Sequence, residues 1–358
     1  MDNGHEAEVS PIEERHKLDL DSLARWMKDH VEDFRGPLAA EQFGIGQSNP
    51  TYRLDAGGKR YVLRRKPPGV LLPSAHAVDR EYRIIKALAD SDVPVPRCHA
   101  LCTDNGVIGT MFFVMEYVEG RMYSDTRMPG ASVAERAGIY DAINDAAARL
   151  HQVDYKAIGL ADYGKPGNFF ARQIDRFTRQ YRAAEIDRIE AMDRLIEALP
   201  QCVPATEETS IFHGDFKMDN MIFHPAEPRV LGVLDWELST LGDPRADFAY
   251  TMMIWRLTPD EYRLGIAGLE REGIGIPTEA EYLAAYCRRT GRVQIENWDF
   301  FITFNLFRLA SILQGIMVRA IKGNASNALA AEYGGRARAI AEIGWRQFEM
   351  MQRAARRV

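Results

Sequence analysis

The stretch that decides the fold is His213-Gly214-Asp215-Phe216-Lys217-Met218-Asp219-Asn220, followed further on by Val233-Leu234-Asp235-Trp236-Glu237. Two short β-prone runs, Met221–His224 and Val230–Leu234, lie between, joined by the turn residues Pro225-Ala226-Glu227-Pro228. If the runs pair as a hairpin, Asn220 at the start of one strand comes to lie beside Asp235 at the end of the other. Asp215, just before the hairpin, joins them. Two carboxylates and a carboxamide then meet at one point, and such oxygen donors suit Mg²⁺ rather than zinc. Acids grouped without a cation would repel each other, so scaffold alone is a poor account of the three. His213 reads as a brace for the backbone and Asp219 as a loop-ordering acceptor.

Working outward, the residues before this stretch are strand-rich. Phe43–Leu54 and Tyr61–Arg65 are extended runs separated by the hairpin signal Asp55-Ala56-Gly57-Gly58. A helix is expected over Ser74–Ala89 with Ser74 as N-cap. Two more strands are expected near Arg97–Thr103 and Thr110–Val118. From Ser132 the pattern turns helical, with Ile139, Ile143, Ala146, Ala147 and Leu150 on one stripe. The expectation is an α+β chain of two lobes. Residues 1–35 would form an N-terminal extension with a helix, 36–119 a small lobe of antiparallel sheet with one helix, and 120–358 a larger, mainly helical lobe.

An H-x-D-x-x-x-x-N loop with a later Asp has the form of a phosphoryl-transfer site, in which the loop supplies a base and one metal ligand and the Asp supplies another. The small lobe should then hold a nucleotide. Gly44, Gly46, Ser48 and Asn49 lie between strand halves, where backbone N–H groups can approach phosphates. Alternation along Tyr61-Val62-Leu63-Arg64 places Val62, as a cover for adenine, on one face with Arg64, which would reach phosphates. Glu81 falls in the apolar stripe of the expected helix and needs a cation, for which Arg64 is the candidate. Met115-Glu116-Tyr117-Val118 would be the hinge, with Glu116 and Val118 meeting the adenine through their backbone.

These motifs, together with Gly242-Asp243-Pro244 and Asp247, resemble the aminoglycoside phosphotransferase and choline kinase family, which has a protein-kinase-like fold, over residues 40–350. The resemblance implies Asp215 as catalytic base, Asn220 and Asp235 as Mg²⁺ ligands, and ATP as donor. It implies that Lys217 contacts the transferred phosphate, that Asp247 holds the catalytic loop, and that Leu150-His151 is structural. Arg64 stands where most kinases carry lysine, with Lys66 two residues on, so either side chain could meet the phosphates. Gln47-Ser48-Asn49-Pro50-Thr51-Tyr52, Leu72-Pro73-Ser74-Ala75-His76, Gly164-Lys165-Pro166-Gly167-Asn168 and Arg172-Gln173-Ile174-Asp175-Arg176 look like the kinase domain fused to certain acyl-CoA dehydrogenases and its free-standing bacterial relatives. That subgroup implies a 4-hydroxyacyl-CoA acceptor. An aminoglycoside or other amino-alcohol acceptor is the alternative, and a nucleotide-binding pseudokinase module a third reading, against which Asp215, Asn220 and Asp235 all stand. No Ala-Pro-Glu segment follows Asp235, which argues against a protein kinase.

The 358 residues carry a net charge of −6, which excludes bulk attraction to nucleic acid or to an anionic membrane. The charge is uneven: residues 301–358 hold nine Lys/Arg against three Glu, and this basic segment favours a polyanionic substrate. Four scattered cysteines and a polar N-terminus point to a reducing cytoplasm without a signal peptide. The apolar segment Phe301–Ile321 is interrupted by Asn305, Arg308, Gln314 and Arg319, and is expected as a buried helix. A small-molecule hydroxyl substrate is the expected partner, and the sequence leaves a homodimer or a small partner protein open.

Overall fold

The computed structural model describes residues 9–12, 17–44, 49–68, 76–270, 273–322 and 330–356. Six strands form the first part: β1 (Val9–Ser10), β2 (Leu38–Phe43), β3 (Thr51–Ala56), β4 (Lys59–Arg65), β5 (Cys98–Cys102) and β6 (Phe112–Glu116). They pair antiparallel in the order β1-β2-β3-β4-β6-β5. β3 and β4 close through Gly57-Gly58 alone, with Ala56 facing Lys59. Both glycines have positive φ (+57° and +83°), the backbone that a tight two-residue hairpin turn requires.

Side-chain alternation divides the sheet between two layers. Tyr52, Leu54, Tyr61, Leu63, Phe112 and Val114 pack with Leu23 and Met27 of α1 (Leu20–His30). Val62, Phe113 and Met115 belong to the larger core together with Ile84, Ile85 and Leu88 of α2 (Val78–Leu88). The helix expected within an N-terminal extension is therefore a layer of the sheet, which carries two helices where the sequence suggested one. α2 also starts later than expected. Ala77 is its N-cap with no side-chain hydrogen bond, and His76 has a left-handed backbone (φ +59°) that no helix can include. Ser74, the expected cap, lies outside the described residues.

The rest is mainly helical: α3 (Val133–Gln152), α4 (Phe169–Ala183), α5 (Glu190–Ala198), α6 (Pro244–Met252), α7 (Glu279–Arg289), α8 (Trp298–Ile321), α9 (Ala330–Gly335) and α10 (Ala337–Ala355). Ser132 caps α3 by accepting the Glu135 N–H at 3.1 Å, and the expected stripe from Ile139 to Leu150 is buried. Two small strand pairs sit between α5 and α6. β7 (Ser210–Phe212) pairs with β10 (Thr240–Gly242), and β8 (Met221–Phe223) pairs with β9 (Val230–Val233).

α8 is long and apolar enough to cross a membrane by length and composition, yet 72% of that window is buried inside the fold. Its polar residues are bonded within the core. Asn305 donates to Ala246 O at 2.8 Å, Gln314 to Ala184 O at 3.1 Å, and Arg308 to Gly214 O.

Candidate active site

The β8–β9 hairpin carries the chemistry because of its register. Met221 faces Val233, and the Leu234 N–H reaches Asn220 O at 2.8 Å, so the residues flanking the strands, Asn220 and Asp235, are brought together. Asp235 takes a left-handed backbone (φ +64°), turning the chain from β9 into the helical turn Trp236–Leu238. Strain of that kind in a non-glycine residue is concentrated at functional sites. Asn220 Nδ2 donates to Asp215 Oδ2 at 2.8 Å and to Asp215 O at 2.9 Å. The three oxygen-bearing residues quoted at the outset do converge.

Asp215 is held from several sides. Its Oδ1 accepts the Tyr250 hydroxyl at 2.8 Å, and Lys217 Nζ lies 3.2 Å from its Oδ2. Burial pushes its carboxyl upward, but the Lys217 ammonium and the hydrogen bonds from Tyr250 and Asn220 outweigh this and hold it below the ordinary 3.8. Burial works against the Lys217 charge, and Asp219 and Asp215 more than compensate, raising it well above its usual value.

The loop backbone is fixed from α6. Asp247 accepts the N–H groups of His213 and Gly214 at 2.6 and 2.9 Å, and His151 Nε2 stands 3.3 Å from Asp247. His213 Nδ1 accepts the Asp215 N–H at 3.1 Å, so its Nε2 carries the proton and donates to Leu234 O at 3.0 Å. Burial pushes the His213 pKa below the ordinary 6.5, against the pull of Asp247.

Above this floor, Val62, Arg64, Glu81, Met115, Glu116, Tyr117 and Val118 from the sheet side line one cleft with Asn220 and Asp235. The space measures about 1030 Å³ including its open mouth. Arg64 donates to Glu81 at 2.8 Å, to Asp235 Oδ1 at 2.7 Å and to Thr51 at 3.2 Å. Burial opposes the Arg64 charge, but Glu81, Asp235 and Glu237 lift it further still. Burial raises Glu81, which shares that guanidinium with the two other acids. Lys66, the other candidate for the phosphates, points instead to Asp79 at 4.0 Å and does not line the cleft.

Glu116 is tied to Arg97, accepting its N–H at 2.8 Å on the side chain. Gly44 is exposed and not among the lining residues, Asn49 is fully buried with its side chain on His76 at 3.1 Å, and Gly46 and Ser48 lie outside the described residues. Asn49 is thus held to His76 through its side-chain oxygen. Among the described lining residues none comes from the basic segment 301–358. Its Arg308 instead supports the catalytic loop through Gly214 O.

Asn220 and Asp235 fit a Mg²⁺ site in chemistry. Both are oxygen donors on the cleft wall, and Mg²⁺ is usually held by one or two such groups with substrate phosphates and water. Among the described residues no cluster of three or more His, Cys, Asp or Glu is arranged for another metal. Tyr250, Thr251 and Arg308 are contacts that sequence reasoning missed. Tyr250 and Thr251 follow Asp247 at i+3 and i+4, the helical spacing that places them on its face.

Residues 39–299 match the family described as the phosphotransferase enzyme family. The chain is 44% identical over 338 residues to mouse acyl-CoA dehydrogenase family member 10, covering 94% of this chain and 32% of that protein, so it spans about a third of that relative's length. A solved structure from Ralstonia eutropha, provisionally described as an aminoglycoside phosphotransferase, is 51% identical with a TM-score of 0.86, covering 93% of this chain and 99% of that one. Choline kinase from Cryptosporidium parvum shares the fold at 10% identity, with a TM-score of 0.65 over 94% of this chain and 97% of that one.

Proposed function

We propose that this chain, which belongs to the phosphotransferase enzyme family and is a small-molecule kinase of the aminoglycoside phosphotransferase and choline kinase type, transfers the γ-phosphate of ATP to the hydroxyl of a 4-hydroxyacyl-CoA-type acceptor. The observation that carries the chemistry is the convergence of Asp215, Asn220 and Asp235 beneath a cleft whose roof supplies Arg64 and Glu81. Asp215 orients the acceptor hydroxyl and takes its proton late, since the transition state is loose and little basicity is needed. A carboxyl held below its ordinary value suits that task. Asn220 and Asp235 would hold Mg²⁺, which supplies neutralisation of phosphate charge. Arg64, drawn between Glu81 and Asp235, lies where it can meet the phosphates, and Lys217 faces the transferred group from the other side.

The acyl-CoA part of the reading is supported by the 44% identity to a protein named as an acyl-CoA dehydrogenase family member. Local charge agrees with it. Asp219, on the cleft wall, is paired with both Lys217 (3.6 Å) and Arg263 (2.9 Å), so its charge is compensated rather than open to a polycation. The provisional description of the 51%-identical structure favours an aminoglycoside acceptor as the second reading. The test is ADP release, measured by a coupled assay, with 4-hydroxyacyl-CoA thioesters, free hydroxy acids, choline and aminoglycosides in parallel. Release driven by the thioesters is expected. Release driven by aminoglycosides alone would reject the acyl-CoA reading and leave the kinase chemistry standing. A cytoplasmic location is proposed with it, since ATP and CoA thioesters are held there.

A further inference from the structure

Helix α6 touches the catalytic loop at three successive places. Asp247 accepts the His213 and Gly214 N–H groups, and Thr251 Oγ1 donates to Phe216 O at 2.6 Å. Both of these hold backbone. Between them the Tyr250 hydroxyl donates to Asp215 Oδ1 at 2.8 Å, the one contact from this helix that grips the carboxylate itself.

The other carboxylate oxygen has different partners. Oδ2 accepts from Asn220 Nδ2 at 2.8 Å and lies 3.2 Å from Lys217 Nζ. Asn220 and Lys217 are the side chains assigned above to metal and phosphate, so their hold on Asp215 changes when nucleotide arrives. The hold from Tyr250 does not depend on nucleotide. Its ring is 6% exposed and lies 4.7 Å from the Arg308 guanidinium, which also donates to Gly214 O. Ring and loop are thus clamped by a single cation. The terminal torsion of an aspartate is broad and soft, so one oxygen bonded to a fixed donor decides where the other points. Burial keeps the hydroxyl protonated, raising Tyr250 well above its usual value.

We propose that Tyr250 is a positioning residue that sets the rotation of the Asp215 carboxylate, presenting Oδ2 to the acceptor hydroxyl when Asn220 and Lys217 turn to the nucleotide. The inference rests on the reading of Asp215 as the base. In the transfer step the acceptor oxygen bonds the γ-phosphorus, the bond from that phosphorus to the ADP oxygen breaks, and the acceptor proton passes to Asp215. Tyr250 keeps its own proton throughout.

The experiment is a double-mutant cycle on Tyr250→Phe and Asp215→Asn, read with MgATP and a 4-hydroxyacyl-CoA thioester and, in parallel, as acceptor-free ATP hydrolysis in which water takes the acceptor's place. A carboxylate off its productive angle costs on the order of 10²-fold in rate. Tyr250→Phe is expected to lower kcat by about 10- to 100-fold while KM for ATP stays within about twofold, and to cause no further loss in the Asp215→Asn background. Thr251→Val, which removes a hold on backbone only, should lose activity by the same factor in both backgrounds. Should Tyr250→Phe be recovered unfolded, the cycle is repeated with Tyr250→Met, which likewise removes the donor to Asp215. Equal losses from the Tyr250 substitution in both backgrounds, or a loss confined to KM, would overturn the proposal. Wild-type turnover in Tyr250→Phe beside an inactive Asp215→Asn overturns it alone. An active Asp215→Asn overturns the base assignment first, and a thioester left untouched by the wild-type enzyme overturns only the acceptor reading, with the cycle then read on hydrolysis.

Discussion

Asp215 carries the sharpest residue-scale prediction. In the proposed reaction its carboxylate takes the acceptor proton, and general-base assistance contributes about 10²- to 10⁴-fold. Asp215→Asn should therefore lose transfer by that order while its dissociation constant for ATP, measured by titration calorimetry, stays within about threefold. Arg64 and Lys66, inseparable in the sequence, are separated by burial. Arg64 is 7% exposed and serves Glu81, itself 2% exposed, so Arg64→Met strands a buried carboxylate, at a cost of roughly 3–5 kcal/mol in urea unfolding. Lys66 forms a loose, partly exposed pair with Asp79, and Lys66→Ala should change stability by less than about 1 kcal/mol and leave KM for ATP in place. A larger effect from Lys66 than from Arg64 would reverse the assignment. Residue identity alone exposed Arg64 and Glu81, because a carboxylate in an apolar stripe demands a partner. It could not expose Tyr250, since a tyrosine on a buried helix face needs no further explanation until its hydroxyl is seen to meet Asp215.

At the scale of elements, the decisive contact is between the segment joining the two parts of the chain and the catalytic hairpin. Arg121 and Phe223 exchange two backbone hydrogen bonds of 2.8 Å each, tying the end of the hinge region to β8. Gly120 permits this approach, because a Cβ there would run into Phe223 O and the Ile222 side chain. A Cβ on Gly232, on the paired strand β9, would meet nothing nearer than Pro96 at 3.7 Å. Gly120→Ala should push the joining segment off the hairpin, lowering the melting temperature by several degrees and kcat/KM for ATP by roughly tenfold, as a contact misplaced by a fraction of an ångström does. Gly232→Ala should leave both nearly unchanged, and equal effects from the two would sink the close-approach account. The hairpin was legible because turn residues separate two apolar runs. β2 was less so: the run read from Phe43 to Leu54 takes in only the last residue of a strand that starts at Leu38 and then Thr51–Leu54 of β3, and only pairing with β3 defines β2.

Across the whole molecule, acid stability follows from groups buried in the form they hold at neutral pH. His213 is neutral, and burial keeps its pKa below 6.5, so as pH falls through 6.5 the unfolded chain binds a proton that the folded chain refuses. Stability is then full above about pH 6.5 and declines below it, by up to about 1.4 kcal/mol per pH unit from His213 until its folded pKa is reached. His99 shifts in the same direction, through burial and Arg97. Asp215 and Asp247 are lowered, so their contribution is full above the ordinary 3.8 and is lost only as pH falls below it. Urea unfolding between pH 4.5 and 7.5 should show the decline, and His213→Gln should flatten it; an identical slope in the variant would show that His213 is not its source. By itself the sequence determined the α+β division, the Asp215, Asn220 and Asp235 constellation, the pairing of Arg64 with Glu81 and the phosphotransferase family. The first three follow from local periodicity, turn chemistry and spacing, which short-range physics dictates, and the family from the resemblance that those motifs carry. Only the tertiary structure decided that α1 covers the sheet, that Arg64 rather than Lys66 enters the cleft, that Arg308 of the basic C-terminal segment supports the loop, and that Tyr250 holds Asp215. Each depends on which distant surfaces pack together, and that is set by burial of the core as a whole rather than by any neighbourhood along the chain.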